Sequence, residues 1–257
     1  MWPINTLINK IEKENNLFDF RDQLSAIVQL YFDGLIKKEH SGTKEKNKVW
    51  SEQKLVLDKL NNAGKLAYGS FYRGNGIDFD KVREMILPNA SKIIKYSNEE
   101  NAKPRHLANS NGHKEIQDFG LILTEIASVK EPFDTIVCCA SGGFEPSFLA
   151  MDILEKNTIV PVRYSWVSGD RQDFKVKFPK YAPDDYLSSK VDGKKVLVVE
   201  DVVSSGRSLA EVLEMVEDNK PGDLWVGVVE NLSGPIPSKV LEKLKNKNNI
   251  FGARSWL

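Results

Sequence analysis

The sequence is poor in the residues that build covalent or metal-held scaffolds. It has two cysteines in 257 residues, and they are neighbours, Cys138 and Cys139. Adjacent residues of a strand point to opposite faces, so no disulfide is expected between them. There is no CxxC pair or Cys/His cluster, and the three histidines (His40, His106, His113) are scattered, so no structural zinc site is expected either. Neither sign of charge is in excess: 36 Lys+Arg stand against 36 Asp+Glu, for a net charge of zero. That balance argues against nucleic-acid binding through bulk positive charge. No run approaches the ~18 apolar residues of a membrane span. The opening MWPINTLINKIEKENN has no basic stretch followed by an apolar one, so no signal peptide is expected and a cytoplasmic protein is. What is present, 41% hydrophobic and 28% charged residues, suits a folded chain of one large domain or two smaller ones.

The neutral total hides an asymmetry. Residues 1–111 carry 18 basic and 14 acidic residues (+4), and residues 112–257 carry 18 and 22 (−4). The first part reads as helical. Leu24, Ile27, Val28, Tyr31 and Leu35 form one apolar helix face within 21–38. Trp50, Leu55, Leu57 and Leu60 do the same within 47–64, with Gly64 as an expected C-cap. Asp80 is the expected cap of a third helix that stops before Pro88. The polar, Asn-rich stretch 97–113 reads as a linker. The second part alternates: helix 115–130, strand 133–140, helix 144–156, strand 157–167, strand 194–201, helix 208–219, strand 223–231. That order predicts an α/β fold, a mostly parallel central sheet flanked by helices, with the N-terminal helices as an extension. The expected domains are 1–111 and 112–257.

The segment KKVLVVEDVVSSGRSLAEVLEMV (194–216) carries the most chemistry. Val196 to Val199 predict a buried central strand, and Glu200 and Asp201 stand at its carboxyl end, where ligands gather in open α/β sheets. Ser204, Ser205, Gly206, Arg207 and Ser208 then lead into a helix, where backbone N–H groups and the helix dipole attract an anion. A plain strand–turn–helix accounts for the serines but not for two acids beside an anion loop. A ligand that carries phosphate, sugar hydroxyls and Mg²⁺ accounts for both.

VLVVEDVVSSGRS resembles the phosphoribosyl-pyrophosphate (PRPP) signature of type I phosphoribosyltransferases: hydrophobics, two acids, then a small hydroxyl-rich glycine loop. Upstream, IVCCASGGFEPSFLAMDIL (136–154) is similar to the pyrophosphate-binding segment of purine-type members, with Ser141 where such members often carry Arg. The resemblance implies a type I phosphoribosyltransferase fold and Mg²⁺-dependent transfer of phosphoribosyl from PRPP to a nitrogenous base. Glu200 and Asp201 would serve the ribose hydroxyls and Mg²⁺, and residues 204–208 the 5-phosphate. Ser141, Gly142 and Gly143 would receive the pyrophosphate, their glycine N–H groups open to it. The polar stretch 166–193 stands where the family has a mobile loop, and Lys175, Lys177, Lys180, Arg163 and Arg171 are its candidate pyrophosphate contacts.

Two positions depart from the 6-oxopurine pattern. Ser204 stands where those members commonly have an Asp near the base, and VVENLSG (228–234) has Glu230 and Asn231 but no lysine. Both suit an acceptor that is already anionic or needs no deprotonation, a base read by other groups, or a PRPP- or nucleotide-sensing regulator without turnover. Asn231 and the tail Trp256, a candidate stacking platform, are the expected acceptor contacts. Extra helices in the family often dimerise, so a homodimer is expected. Neither nucleic acid nor membrane is an expected partner.

Overall fold

The computed structural model describes residues 3–37, 46–98, 112–129, 133–140, 142–164, 176–232, 237–244 and 249–252. The chain forms two compact units, one of residues 1–106 with 178–183, the other of residues 107–177 with 184–257.

Among the described residues the first unit holds five α-helices: α1 (Ile4–Ile11), α2 (Leu17–Lys37), α3 (Lys46–Tyr72), α4 (Phe79–Ile86) and α5 (Ala90–Tyr96). α2 starts where the Asn16 side chain accepts the N–H groups of Phe18 (3.0 Å) and Asp19 (3.2 Å). It is the central helix, with burial nearly all round from Phe20 to Leu35. Two tyrosines tie it to α3: Tyr31 donates to the Gln53 carbonyl (2.9 Å) and Tyr68 to the Arg21 carbonyl (3.2 Å). α3 runs past the expected stop at Gly64, which is buried in the helix interior, and ends only at Tyr72. Packing of Leu57, Leu60, Ala67 and Tyr68 on either side outweighs the ~1 kcal/mol that an internal glycine costs. Asp78, not Asp80, caps α4: its carboxylate accepts the Lys81 N–H at 3.0 Å, and Asp80 pairs with Arg83 in the first turn. The segment 178–183 joins this unit through the Lys180 N–H on the Leu35 carbonyl (2.9 Å).

The second unit is a five-stranded parallel sheet in the order β2-β1-β3-β4-β5. In chain order it contains α6 (Gly112–Val129), β1 (Thr135–Ala140), α7 (Phe144–Ile153), β2 (Val160–Arg163), α8 (Ser188–Val191), β3 (Lys195–Val203), α9 (Arg207–Asp218), β4 (Asp223–Asn231), α10 (Ser238–Leu241) and β5 (Ile250–Gly252). β1 and the Val196–Val199 run of β3 are apolar because both lie in the middle of a sheet covered on both faces. β2 is shorter than expected, four residues. β5, not anticipated, adds an edge whose Phe251 stacks on Phe119 of α6 at 5.6 Å between ring centres. A parallel sheet places all strand carboxyl ends on one side, so the ends of β1, β2, β3 and β4 converge there.

Candidate functional site

β3 delivers Glu200 and Asp201 to that side, Glu200 buried and Asp201 half-buried. The next turn exposes Ser204 and Ser205 and reverses at Gly206, whose φ of +68° is left-handed, before α9 begins at Arg207. No side chain caps α9, so its first N–H groups face the loop. Glu200 and the run from Val202 to Leu209 line a pocket of about 410 Å³. The motif therefore forms a concave cradle, with hydroxyls and a helix N-terminus on one wall and a carboxylate on another.

The glycine loop after β1 meets the acids directly. A Cβ on Gly142 would collide with Oδ2 of Asp201, so the carboxylate lies against the bare Cα of Gly142. Gly143 is hemmed in by the carbonyls of Cys139 and Val199 (2.6 and 2.9 Å from the same hypothetical atom). Its N–H donates to the Cys139 carbonyl at 3.0 Å. This corrects the expectation that both glycine N–H groups are open to an anion: that of Gly143 is spent on the turn. α7 also carries Glu145, buried, in its first turn, so an acid already sits at its positive end.

At β2, Arg163 stands beside Ala140, the last residue of β1, and pairs with Lys177 through two backbone hydrogen bonds of 2.9 and 2.7 Å. Two cations are thus placed next to the strand that feeds the glycine loop. Lys180 is exposed and belongs to the helical unit. At β4, buried Asn231 lies opposite Val203 in the ladder, and the following Leu232 is 63% exposed. Ser141, Arg171, Lys175 and Trp256 lie outside the described residues.

Electrostatics sharpen the picture. Burial pushes the Glu200 carboxyl well up, and the neighbouring Asp201 charge and hydrogen bond push the same way. The Asp201 N–H (3.2 Å) and the Cys139 thiol both donate to Glu200. Burial also raises both thiols, so neither cysteine is a nucleophile at neutral pH. Two adjacent carboxylates, one of them desolvated, form an oxygen donor set that a divalent cation would relieve. Among the described residues no group of three or more His, Cys, Asp or Glu could hold a metal by itself. Mg²⁺ fits this arrangement, because it is commonly bound by one or two carboxylates with the remaining positions filled by waters and substrate phosphates. Cys139, Glu145 and Leu232 were not read from the sequence. Cys139 reaches Glu200 only across a parallel ladder, and that pairing has no local signature.

Residues 113–230 match the family model described as the phosphoribosyl transferase domain. Apart from residues 178–183, the match lies within the α/β unit. A curated relative, the orotate phosphoribosyltransferase of Thermotoga maritima, is 29% identical over 123 residues, which is 47% of this chain and 58% of that protein. The chain therefore spans little more than half the length of the curated relative it matches. Among solved structures, the adenine phosphoribosyltransferase of Saccharomyces cerevisiae is 28% identical, covering 56% of this chain and 79% of that one, with a TM-score of 0.37. The purine phosphoribosyltransferase of Pyrococcus horikoshii is 19% identical over 45% of this chain and 71% of that one, with a TM-score of 0.34. The phosphoribosyltransferase match begins near the start of α6 and ends on β4, one residue short of Asn231. The unit's parallel sheet is flanked by helices.

Proposed function

We propose that the protein transfers the phosphoribosyl group of PRPP to a nitrogenous acceptor and releases pyrophosphate. The observation that carries this reading is the end of β3, where Glu200 shares a pocket with the 202–209 loop while Asp201 rests on Gly142 of the neighbouring loop. One molecule with a phosphate at one end and a pyrophosphate at the other suits these two loops and the acids between them.

Ser204, Ser205, Ser208, Arg207 and the α9 N-terminus hold the 5-phosphate, and Gly206 makes the turn that lets them converge. Glu200 and Asp201 orient the ribose 2- and 3-hydroxyls and would hold Mg²⁺, which supplies charge neutralisation for the leaving pyrophosphate. Ser141, Gly142, Gly143, Arg163, Lys175 and Lys177 receive the pyrophosphate, Arg163 and Lys177 offering the charge that the engaged Gly143 N–H does not. The bond from C1 to the pyrophosphate oxygen breaks with its electrons leaving on pyrophosphate. A nitrogen lone pair of the acceptor forms the new bond to C1, and any proton on that nitrogen passes to water. Asn231 and Trp256 are the acceptor contacts in this reading. Ser204 is no general base at neutral pH, so the acceptor attacks without help from that position.

The test is incubation of the full chain with PRPP, Mg²⁺ and a panel of nucleobases, reading nucleotide and pyrophosphate. Formation of both with one base supports transfer. Absence of PRPP binding by calorimetry would overturn it. Exposed Ser204 in the place of an acid favours a second reading, a PRPP or nucleotide sensor, and saturable PRPP binding without pyrophosphate release from any base would select it. In either case the working form is a homodimer, and a monomer mass by sedimentation would remove that part.

A further inference from the structure

Between β2 and β3 the chain enters the helical unit at residue 178 and leaves it after residue 183, while residues 177 and 184 belong to the α/β unit. The crossing comes directly after Lys177. The N–H of Lys177 donates to the Arg163 carbonyl (2.7 Å), and its carbonyl accepts the Arg163 N–H (2.9 Å), so the two residues are bridged backbone to backbone at the end of β2. Three residues later the Lys180 N–H donates to the Leu35 carbonyl at 2.9 Å. Leu35 lies in the last turn of α2, where helix carbonyls have no partner within the helix, and Lys180 satisfies one of them. The leg between these two anchors is stiff. Buried Pro179 has a fixed φ and biases Phe178 before it towards extended backbone. The Ala182 N–H then closes a turn on the Pro179 carbonyl at 3.0 Å. Three residues span at most about 11 Å, so the leg has little slack to take up. Lys180 serves here through its backbone, since the residue is exposed to solvent.

We propose that the Leu35 carbonyl and the 178–180 leg are a positioning device for pyrophosphate binding: the end of α2 holds the leg, the leg holds Lys177, and Lys177 holds Arg163. The inference rests on the reading of Arg163 and Lys177 as pyrophosphate contacts. It gives the helical unit a part in the reaction without any of its side chains touching the substrate. It also separates the two ends of PRPP. The 5-phosphate end depends on residues 204–208, which follow β3 and have no share in the leg. The pyrophosphate end depends on the leg.

The experiment is calorimetry on the full chain with Mg²⁺ and PRPP, and in parallel with ribose 5-phosphate, which has the phosphate and the sugar but no pyrophosphate. Lys180→Pro removes the N–H and places proline at the second position of the 179–182 turn, where proline is favoured. PRPP binding should weaken about tenfold, as for charged contacts drawn off their geometry, with ribose 5-phosphate bound as by the wild type. Lys180→Ala keeps the N–H and should bind PRPP more tightly than Lys180→Pro. Should circular dichroism show Lys180→Pro unfolded, Pro179→Gly slackens the leg in its place, and the same loss confined to PRPP is expected. Wild-type PRPP affinity in the folded variant would overturn the inference, and so would equal losses for the two ligands or equal losses in Lys180→Ala and Lys180→Pro. A wild-type chain that binds no PRPP would instead overturn the reading of the site, and this inference with it.

Discussion

Gly142 has no room for a side chain, and the group that denies it room is the carboxylate of Asp201. Gly142→Ala must push either the loop or the acid away. The expected result is a fall in turnover of about 10²-fold, the usual effect of a displacement near 1 Å in a reacting geometry. The circular dichroism spectrum should stay that of the wild type, and unchanged turnover would remove this contact from the site. Asp201→Asn keeps the shape and removes the charge, so it should weaken Mg²⁺-dependent PRPP binding by about tenfold, or 1.4 kcal/mol, in calorimetry. Gly206 has a different constraint. A Cβ there would be directed at Pro237 (2.8 Å) and Val240 (3.1 Å) of the α10 segment. With φ at +68°, Gly206→Val should cost about 2–3 kcal/mol in urea unfolding, and Gly206→Asn less, since Asn tolerates the left-handed region. Equal losses would show that the clash outweighs the backbone.

The helices and strands differ in how much of each was legible in the chain. β1, β3 and β4 announce themselves as apolar runs because a strand buried on both faces must be apolar throughout. β5 is three residues and α10 four, too short for any periodicity, and they exist because β4 and α9 offer them a surface. α1 carries its own periodic signal, with Ile4, Leu7, Ile8 and Ile11 on one buried face. α3 outran its glycine because a buried glycine within a packed stripe is not a terminus. α2 shows the local rule at work: Asn16→Ala removes the acceptor of two N–H groups and should cost about 1 kcal/mol in thermal or chemical unfolding. A change within error would mean that tertiary packing alone sets the start of α2.

At the scale of the molecule, 36 positive and 36 negative side chains leave no net positive charge to gather phosphate polymers. Fluorescence anisotropy with a short DNA duplex should show no saturation below about 100 µM protein at physiological salt, the weak end of non-specific binding. Saturation at low micromolar protein would require a basic surface that the neutral total conceals. None of the described helices is long and apolar enough to cross a membrane. The division into a helical and an α/β unit has a local counterpart in charge, +4 before residue 112 and −4 after it.

The chain alone was enough to specify the α/β unit's class and the segment 200–208, because a central strand, paired acids and a small-residue loop are consecutive in sequence and each follows from local rules. It could not specify what meets that segment from elsewhere. Asp201 on Gly142, Cys139 on Glu200, Arg163 beside Ala140 and the Cβ direction at Gly206 all join residues far apart in the chain. Such contacts depend on strand order and register, which no stretch of sequence encodes by itself. The Tyr96–Glu52 hydrogen bond of the helical unit has the same origin: it joins residues 44 apart in the chain and exists only because α3 and α5 pack side by side.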